Sequence, residues 1–329
     1  MYLHSPAASP SPHFAASKLF SLVGGVARAV LESAADDQVT IAELEATLNS
    51  ALTPQRIINA AAQPGRLDQF SGKLLHLVNA PPAAASSAAP SFRTWAVIFA
   101  SPYVENRLFK MLDSNAMGGL EALVVGLGAQ PGLGAARGEV FEKWAHKQVV
   151  NGGRFPLRWL TDDPPTSPPE GDPIGVRWSA TELVLEARIS TLFGGKDTSS
   201  LADVARSNGC YGQPHVSNFA SVDSVLTLSP QSPADCIMFQ FTVFHCHPVG
   251  ESGLVTVLEA YRGPSASAAA EAQLRPAILL FGVFDENKFN EFTAQNYLDG
   301  DRKKMLKLPP HLKSIAQGVI LMMDSRIGA

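Results

Sequence analysis

The chain has 329 residues, which suggests two domains, and a hydrophobic content of 46% that is ordinary for a globular protein. Its net charge of −4 excludes binding to nucleic acid through overall charge, so any contact with DNA has to come from local basic clusters, such as those in residues 143–158 and 302–313. Three cysteines do not suggest a disulfide framework.

The N-terminal part of the chain predicts a small helical and α/β segment. Residues 1–13 are rich in Ser, Pro and Ala and predict a disordered tail. Helices are predicted over residues 14–33, 41–52 and 102–112, and strands over residues 73–78 and 94–100, around a linker at residues 81–90. The second helix is expected to open with a capping box of Thr40 and Glu43. No apolar run reaches the ~18–20 residues that span a bilayer, so we expect no membrane partner.

A nucleotide site is not expected. The Gly-x-x-x-x-Gly-Lys-Ser/Thr pattern of P-loops does not occur in the chain. Residues 194–197, Gly-Gly-Lys-Asp, contain the lysine but lack the first glycine at its spacing and the Ser or Thr that would hold Mg²⁺. We therefore assign no nucleotide-binding residue and expect no ATP.

Residues 136–149 predict an amphipathic helix that ends at Gly152 and Gly153. Glu142 lies at the edge of its apolar stripe, and His146 follows one turn later. A carboxylate in this position can face a cleft, or it can be a solvated surface charge beside Lys143. The helix by itself leaves both interpretations open.

A second carboxylate precedes a strand that carries two polar residues. Asp223 lies in residues 219–226, which predict a loop, and residues 237–244 predict a strand. By period two, Gln240 and Thr242 share one face of that strand. Because buried polar groups need hydrogen-bond partners, this pair indicates either a structural network or a site. Asp235 is a rival to Asp223, although Ser232-Pro-Ala-Asp235 is more typical of a turn.

The remaining C-terminal segments complete a prediction of an α/β domain with a central mixed sheet flanked by helices. A flexible stretch is predicted at residues 161–173, a strand or a helix at 176–189, a buried strand at 277–284, a helix at 285–297, and a segment that begins as a helix at 309–324. The helix at 285–297 is expected to pack through Phe289 and Phe292. His245 and His247 alternate with Cys246 across the strand, so a zinc site is not expected here.

Taken in order, these motifs resemble the C-terminal region of Crinkler effectors and of the related retrotransposon-hot-spot proteins. The resemblance runs from about residue 73 to the C-terminus, with Tyr211 and Pro214 as further matches. The segments that carry it are residues 75–77, 99–104, 137–146, 152–155, 222–224, 239–243, 247–248 and 289–298.

The resemblance implies the remnant of a P-loop module over residues 14–129 and a restriction-endonuclease-like domain over residues 130–329. Such nucleases place a helix Glu, a strand Asp and a Glu-x-Lys pair around Mg²⁺, whose oxygen ligands hold the ion beside the phosphate. Carried over to this chain, Glu142, Asp223 and Gln240 are the expected ligands of Mg²⁺ or Mn²⁺. Gln240 and Thr242 occupy the Glu-x-Lys positions, which removes one carboxylate and the lysine.

The function implied is that of a Crinkler-type effector or toxin domain, nuclease-like, that acts on DNA with a divalent metal. Glu142, Asp223, Gln240 and Thr242 are its expected catalytic residues, with His146 and His247 as auxiliary residues. The alternative is a catalytically inactive module of the same fold that binds DNA or a host or self nuclear protein. The resemblance also implies secretion and delivery to a host cell and its nucleus, although this chain shows no signal peptide and no translocation header.

Overall fold

The computed structural model describes residues 37–50, 74–79, 95–114, 118–128, 134–166, 174–193, 199–215, 221–244, 247–262, 275–299, 301, 303–305 and 307–322. The predicted tail at residues 1–13, the helix at 14–33, the linker at 81–90, the Gly-Gly-Lys-Asp segment and the pair His245 and Cys246 lie outside the described residues. The chain divides into two compact units, Met1–Val140 and Phe141–Ala329.

The described residues of the first unit form three helices and a two-stranded sheet. The helices are α1 (Asp37–Ser50), α2 (Pro102–Ser114) and α3 (Gly118–Gly128), and the strands are β1 (Leu75–Asn79) and β2 (Trp95–Phe99). The two predicted strands and the helix at α2 are confirmed, and β1 pairs antiparallel with β2. The capping box is wrong, because α1 begins at Asp37 and therefore has Thr40 inside its first turn.

A long helix, α4 (Gly134–Asn151), leads from the first unit into the second. The other helices in the described part of the second unit are α5 (Ser199–Arg206), α6 (Glu251–Arg262), α7 (Glu286–Glu291) and α8 (Pro310–Lys313). Its strands are β3 (Gly153–Trp159), β4 (Val176–Trp178), β5 (Glu182–Leu185), β6 (Ser190–Phe193), β7 (Tyr211–Pro214), β8 (Ser224–Thr227), β9 (Cys236–Thr242), β10 (Val249–Gly250), β11 (Ala277–Val283), β12 (Tyr297–Leu298) and β13 (Ile315–Leu321).

Nine of the eleven described strands of the second unit form a mixed sheet in the order β4-β5-β3-β13-β11-β9-β8-β7-β6, and β10 pairs parallel with β12 in a separate sheet. At its centre β9, β11 and β13 run parallel, and every residue of these three strands is buried. Continuous burial on both faces is what central parallel strands require, and it explains their nearly unbroken apolar sequence. The prediction of an α/β domain with a mixed sheet is confirmed.

Helices cover both faces of this sheet. On one face, which we call the α4 face, Phe141 of α4 packs against the rings of Phe241 and Phe284 at 6.4 and 5.7 Å between centroids. On the other, the α6 face, Leu201 of α5 and Leu254 of α6 belong to a core that includes Met238, Phe281 and Val319. The α4 face carries the helix with Glu142, so it is the face on which the candidate site is built.

Helix α4 ends where the glycine pair predicts. Gly152 has φ +75°, a left-handed conformation that favours glycine at a helix C-terminus. A Cβ atom at this position would lie 2.6 Å from the carbonyl oxygen of Leu185. Only glycine therefore lets α4 stop here and turn directly into β3.

Two predicted helices near the C-terminus are shorter than expected. Asp285 caps α7 by accepting a hydrogen bond from the Lys288 N–H at 2.9 Å, but the helix ends after Glu291. Arg158 donates to the carbonyls of Phe289 and Phe292, which stabilises this early end. The helix predicted from residue 309 lasts a single turn, and the chain then enters β13. No helix among the described residues is long and apolar enough to cross a membrane.

Candidate functional site

The candidate site lies at the carboxyl end of β9, and Asp223 is its centre. Asp223 directly precedes β8, and its N–H donates to the Phe239 carbonyl at 2.8 Å. Its carboxylate oxygen Oδ2 accepts a hydrogen bond from the Phe241 N–H at 2.6 Å. The side chain thus takes the place of a backbone acceptor where β8 stops pairing with β9. In open sheets with parallel strands, ligands bind outside the carboxyl ends of the strands.

An irregularity in the strand turns Asp223 toward the α4 face. Val222 and Val225 both belong to the core of the α6 face, although they are three positions apart. A regular strand would place them on opposite faces, so the chain has to accommodate one extra residue between them, as a β-bulge does. Ser224 lies on the α4 side, where its hydroxyl bonds to that of Tyr211. The extra residue leaves Asp223 on the same side as Ser224.

A chain of buried polar side chains connects this turn to α4. A hydrogen bond of 2.7 Å joins Ser224 Oγ to Tyr211 Oη, and a second one of 2.7 Å joins Tyr211 Oη to His146 Nδ1. The other ring nitrogen of His146, Nε2, lies 3.7 Å from Glu142 Oε1. The His146 ring also packs edge-on against Phe241 at 5.0 Å. His146 is thereby locked between Tyr211 and the carboxylate that the helix carries.

The Glu142 carboxylate influences the pKa of Asp223. Burial raises the pKa of Asp223 well above its usual value, because the charged form is desolvated, and the nearby Glu142 carboxylate raises it further. The hydrogen bond from the Phe241 N–H acts in the opposite direction and lowers the pKa of Asp223. The Glu142 side chain is 41% exposed, so this carboxylate reaches solvent on the α4 side. Repulsion between two carboxylates favours the binding of a proton or a cation between them.

Gln240 and Thr242 lie on the opposite face from Glu142. Phe241 faces α4, and alternation along β9 therefore directs its two neighbours toward the α6 face. Thr242 Oγ1 accepts a hydrogen bond from the Phe244 N–H at 3.0 Å. Gln240 is only 3% exposed, and its Oε1 has no hydrogen-bond partner. Among the predicted residues, the structure brings His146 to 3.7 Å from Glu142, whose charge acts on Asp223, and it leaves Gln240 and Thr242 on the other face.

Replacing Gln240 with Met is expected to stabilise the fold. A buried acceptor without a partner costs about 1–3 kcal/mol, and Met removes it at similar side-chain length. We expect the free energy of unfolding to rise by roughly 1–2 kcal/mol in urea denaturation. Gln317→Met is the matched control: Gln317 is also 3% exposed, but its Oε1 and Nε2 bond to the backbone of Gln295, so its loss should destabilise. Equal destabilisation by both variants would show that the Gln240 oxygen is satisfied in solution.

His247 and Asp235 have hydrogen-bond and ion-pair partners other than the residues of the candidate site. The strand ends before His247, whose N–H donates to Gln295 Oε1 at 2.7 Å, and burial lowers the pKa of its imidazole. Asp235 stands at the opposite, amino end of β9 and pairs with Arg262 and Arg275. The rival interpretation of Asp235 as a metal ligand is therefore wrong, because two arginines already occupy its carboxylate. A cleft of about 490 Å³ also lies at that amino end, beside Ile315 and Pro276, away from the carboxylate pair.

Sequence reasoning missed two members of the site, Tyr211 and Ser224. Tyr211 is 65 positions from His146, and only the register of β7 with β8, which pairs Tyr211 with Leu226, brings it close to Ser224. Ser224 could have been suspected as the neighbour of Asp223, but the face it occupies depends on the irregular strand. Among the described residues, no group of three or more His, Cys, Asp or Glu side chains could hold a metal ion.

Comparison of the chain with protein-family models, with curated proteins and with solved structures gives no match.

Proposed function

We propose that the second unit is a nuclease-like domain that acts on DNA with a divalent metal, on a restriction-endonuclease-like fold. The observation that carries this proposal is the half-buried Asp223 carboxylate, which accepts the Phe241 N–H and whose pKa is raised by burial and by the charge of Glu142. Keeping two acids together at partial burial costs stability, and such arrangements concentrate at functional sites. A bound cation would relieve the repulsion between them.

Two of the three predicted ligands suit a hard divalent cation, and the third does not. Asp223 and Glu142 offer carboxylate oxygens, which suit Mg²⁺ and Mn²⁺, and Mg²⁺ commonly keeps several water ligands beside one or two carboxylates. Gln240 is not part of this ligand set, because its side chain points to the α6 face. When bound, the ion supplies an activated water and neutralises charge on the phosphate.

The other residues of the site have a positioning role in this proposal. His146 lies within 3.7 Å of Glu142 and is itself held by Tyr211 at 2.7 Å, so it limits where the helix carboxylate can point. The Phe241 N–H, bound to Asp223 Oδ2, leaves Asp223 Oδ1 as the oxygen available to a ligand. Preorganised donors and acceptors of this kind lower the cost of binding a charged group.

The resemblance to Crinkler effectors supports the same assignment. The helix carboxylate, the Asp that opens a strand and the neighbouring strand with Gln240 and Thr242 follow the order that the resemblance implies. We therefore propose a Crinkler-type effector or toxin domain, with DNA as its substrate.

The proposal is tested by metal binding. We expect Mn²⁺ to bind the wild-type chain with a stoichiometry of about one in calorimetry, and Asp223→Ala to weaken that affinity at least about tenfold. Asp203→Ala is the control, because Asp203 is 74% exposed on α5. Cleavage of single- and double-stranded DNA should be slow or absent with Mg²⁺ and visible with Mn²⁺, which tolerates poorer geometry. Equal Mn²⁺ affinity of wild type and Asp223→Ala would refute the metal site.

A second candidate is a catalytically inactive module of this fold that binds DNA or a host or self nuclear protein. It is favoured by Thr242, which stands where the resemblance has a lysine and whose hydroxyl accepts the Phe244 N–H. No cation is then available from β9 to stabilise charge on a phosphate. DNA binding without cleavage under either ion would favour this candidate.

A further inference from the structure

Tyr211 is the middle member of a buried chain of three side chains, and its hydrogen bonds determine which nitrogen of His146 carries a hydrogen. Its Oη lies 2.7 Å from Ser224 Oγ and 2.7 Å from His146 Nδ1. Tyr211 and Ser224 are completely buried, so neither hydroxyl group can turn to solvent instead. Burial also raises the pKa of Tyr211, so its hydroxyl group keeps its hydrogen. The directions of the two hydrogen bonds are therefore settled among these three side chains.

Only one direction of these bonds gives every buried hydroxyl hydrogen an acceptor. Within the part of the chain that the structure describes, Ser224 Oγ has no hydrogen-bond partner other than Tyr211 Oη. Ser224 must then donate to Tyr211, because its hydrogen would otherwise lack an acceptor. Tyr211 in turn donates its own hydrogen to His146 Nδ1. A neutral imidazole that accepts at Nδ1 carries its hydrogen on Nε2.

The nitrogen that carries this hydrogen faces the carboxylate of the helix. His146 Nε2 lies 3.7 Å from Glu142 Oε1, which is longer than a hydrogen bond but close enough for the N–H dipole to attract the carboxylate. The opposite tautomer would present a lone pair to that negative charge and would leave the Ser224 hydrogen without an acceptor. The edge-on contact with Phe241, at 5.0 Å between centroids, holds the ring in this orientation. Both ends of the chain therefore favour the same tautomer.

We propose that Tyr211 fixes His146 as the tautomer with its hydrogen on Nε2, so that His146 is a positioning residue for the Glu142 carboxylate and not a ligand of the ion. The inference deepens the proposed metal site and rests on it. A ring nitrogen that carries a hydrogen has no lone pair for a cation, and Nδ1 is already occupied by the Tyr211 hydroxyl group. Residues that orient a metal ligand without touching the ion contribute to metal affinity.

Nitrogen NMR measures the tautomer directly. In protein labelled with ¹⁵N-histidine, without metal and at about pH 8, where a histidine of ordinary pKa is neutral, long-range ¹H–¹⁵N correlations should show the His146 hydrogen on Nε2. His146→Gln removes these signals and so assigns them among the eight histidines of the chain. Tyr211→Phe, which removes the donor to Nδ1, should add a population with the hydrogen on Nδ1. Ser224→Ala is the matched control: it also removes one buried hydroxyl group, but Tyr211 can still donate to Nδ1, so the hydrogen should stay on Nε2.

A wild-type His146 ring with its hydrogen on Nδ1 overturns the inference, whether or not the variants fold. A Tyr211→Phe protein whose His146 ring is identical to that of wild type overturns it as well.

Mn²⁺ binding tests the positioning role and separates this inference from the proposed function. Gln at position 146 can still direct an N–H group toward Glu142, whereas Leu cannot. We expect His146→Leu to weaken Mn²⁺ affinity about tenfold, as is usual when the partner of a metal ligand is lost, and His146→Gln to weaken it less. Equal losses for the two variants would identify His146 as a ligand and overturn the inference. A wild-type chain that binds no Mn²⁺ but carries the His146 hydrogen on Nε2 refutes the metal site and supports the assignment of the tautomer.

Discussion

Replacing Asp235 with Ala is expected to lower the free energy of unfolding by about 3–5 kcal/mol, the usual cost of removing one partner from a buried ion pair. Asp235 Oδ2 lies 3.1 Å from Nε of Arg262, and Oδ1 lies 2.9 Å from Nε of Arg275. The Arg262 side chain is only 7% exposed, and its Nη1 already lacks a partner. Without the carboxylate, two guanidinium groups would remain together near the amino end of β9, one of them buried.

Urea denaturation followed by circular dichroism would measure this loss. Asp203→Ala is the control, because its ion pair with Arg206 is exposed and should contribute less than about 1 kcal/mol. Asp235→Asn keeps the shape but not the charge and should fall between the two. A loss for Asp235→Ala no larger than that for Asp203→Ala would mean that solvent already screens the cluster.

Asp223→Asn is expected to have opposite effects on function and on stability. Asn keeps an oxygen that can accept the Phe241 N–H but removes the charge that burial and Glu142 destabilise. We expect Mn²⁺ binding and any Mn²⁺-dependent cleavage to be lost. The free energy of unfolding at pH 8 should rise by about 0.5–2 kcal/mol, which is the usual gain when a strained functional residue is replaced.

The pH dependence of this gain follows from the raised pKa of Asp223. In the unfolded chain the carboxyl group titrates near its ordinary pKa of about 3.9, whereas in the folded state its pKa is higher. Between these two values the folded protein keeps a proton that the unfolded chain has lost, so wild-type stability falls as pH rises through this interval. The contribution is fully present below the unfolded pKa and is lost above the folded pKa.

Measurement of urea unfolding from pH 4 to pH 9 would test this sign. The stability difference between Asp223→Asn and wild type should be small near pH 4, grow as pH rises, and become constant above the folded pKa of Asp223. A difference that does not change with pH would contradict the raised pKa, and a difference that shrinks as pH rises would reverse its direction.

The elements of the site that depend on local patterns could be predicted from sequence. The apolar stripe of α4 determines that Glu142 and His146 lie one turn apart at its edge, and Gly152 determines where the helix ends. Likewise, a mostly aromatic and aliphatic run without Gly or Pro determines β9 and the alternation that separates Gln240 from Phe241. Each of these features depends on a period of 3.6 or 2 residues and on steric limits within a few residues.

The start of β13 and the end of α7 could not be predicted from the local sequence. Residues 315 and 319 share a face in a helix and also in a strand, so the pattern that begins at residue 309 could not distinguish the two, and pairing with β11 over seven residues decided for β13. The helix predicted to reach residue 297 ends early because Arg158, more than 130 positions away, donates to its last carbonyls. Long-range contacts outweigh helix propensity at both places.

The composition of the site was decided by the tertiary structure. The sequence predicted only a loop at residues 219–226; an extra residue between Val222 and Val225 turns Asp223 toward α4, whereas a regular strand would place it on the face of Gln240. Tyr211 joins the site through the pairing of β7 with β8, which no local spacing encodes. Sequence periodicity determined which residues of each helix or strand share a face. The strand register and the bulge, which depend on packing between distant strands, determined which of these residues come into contact.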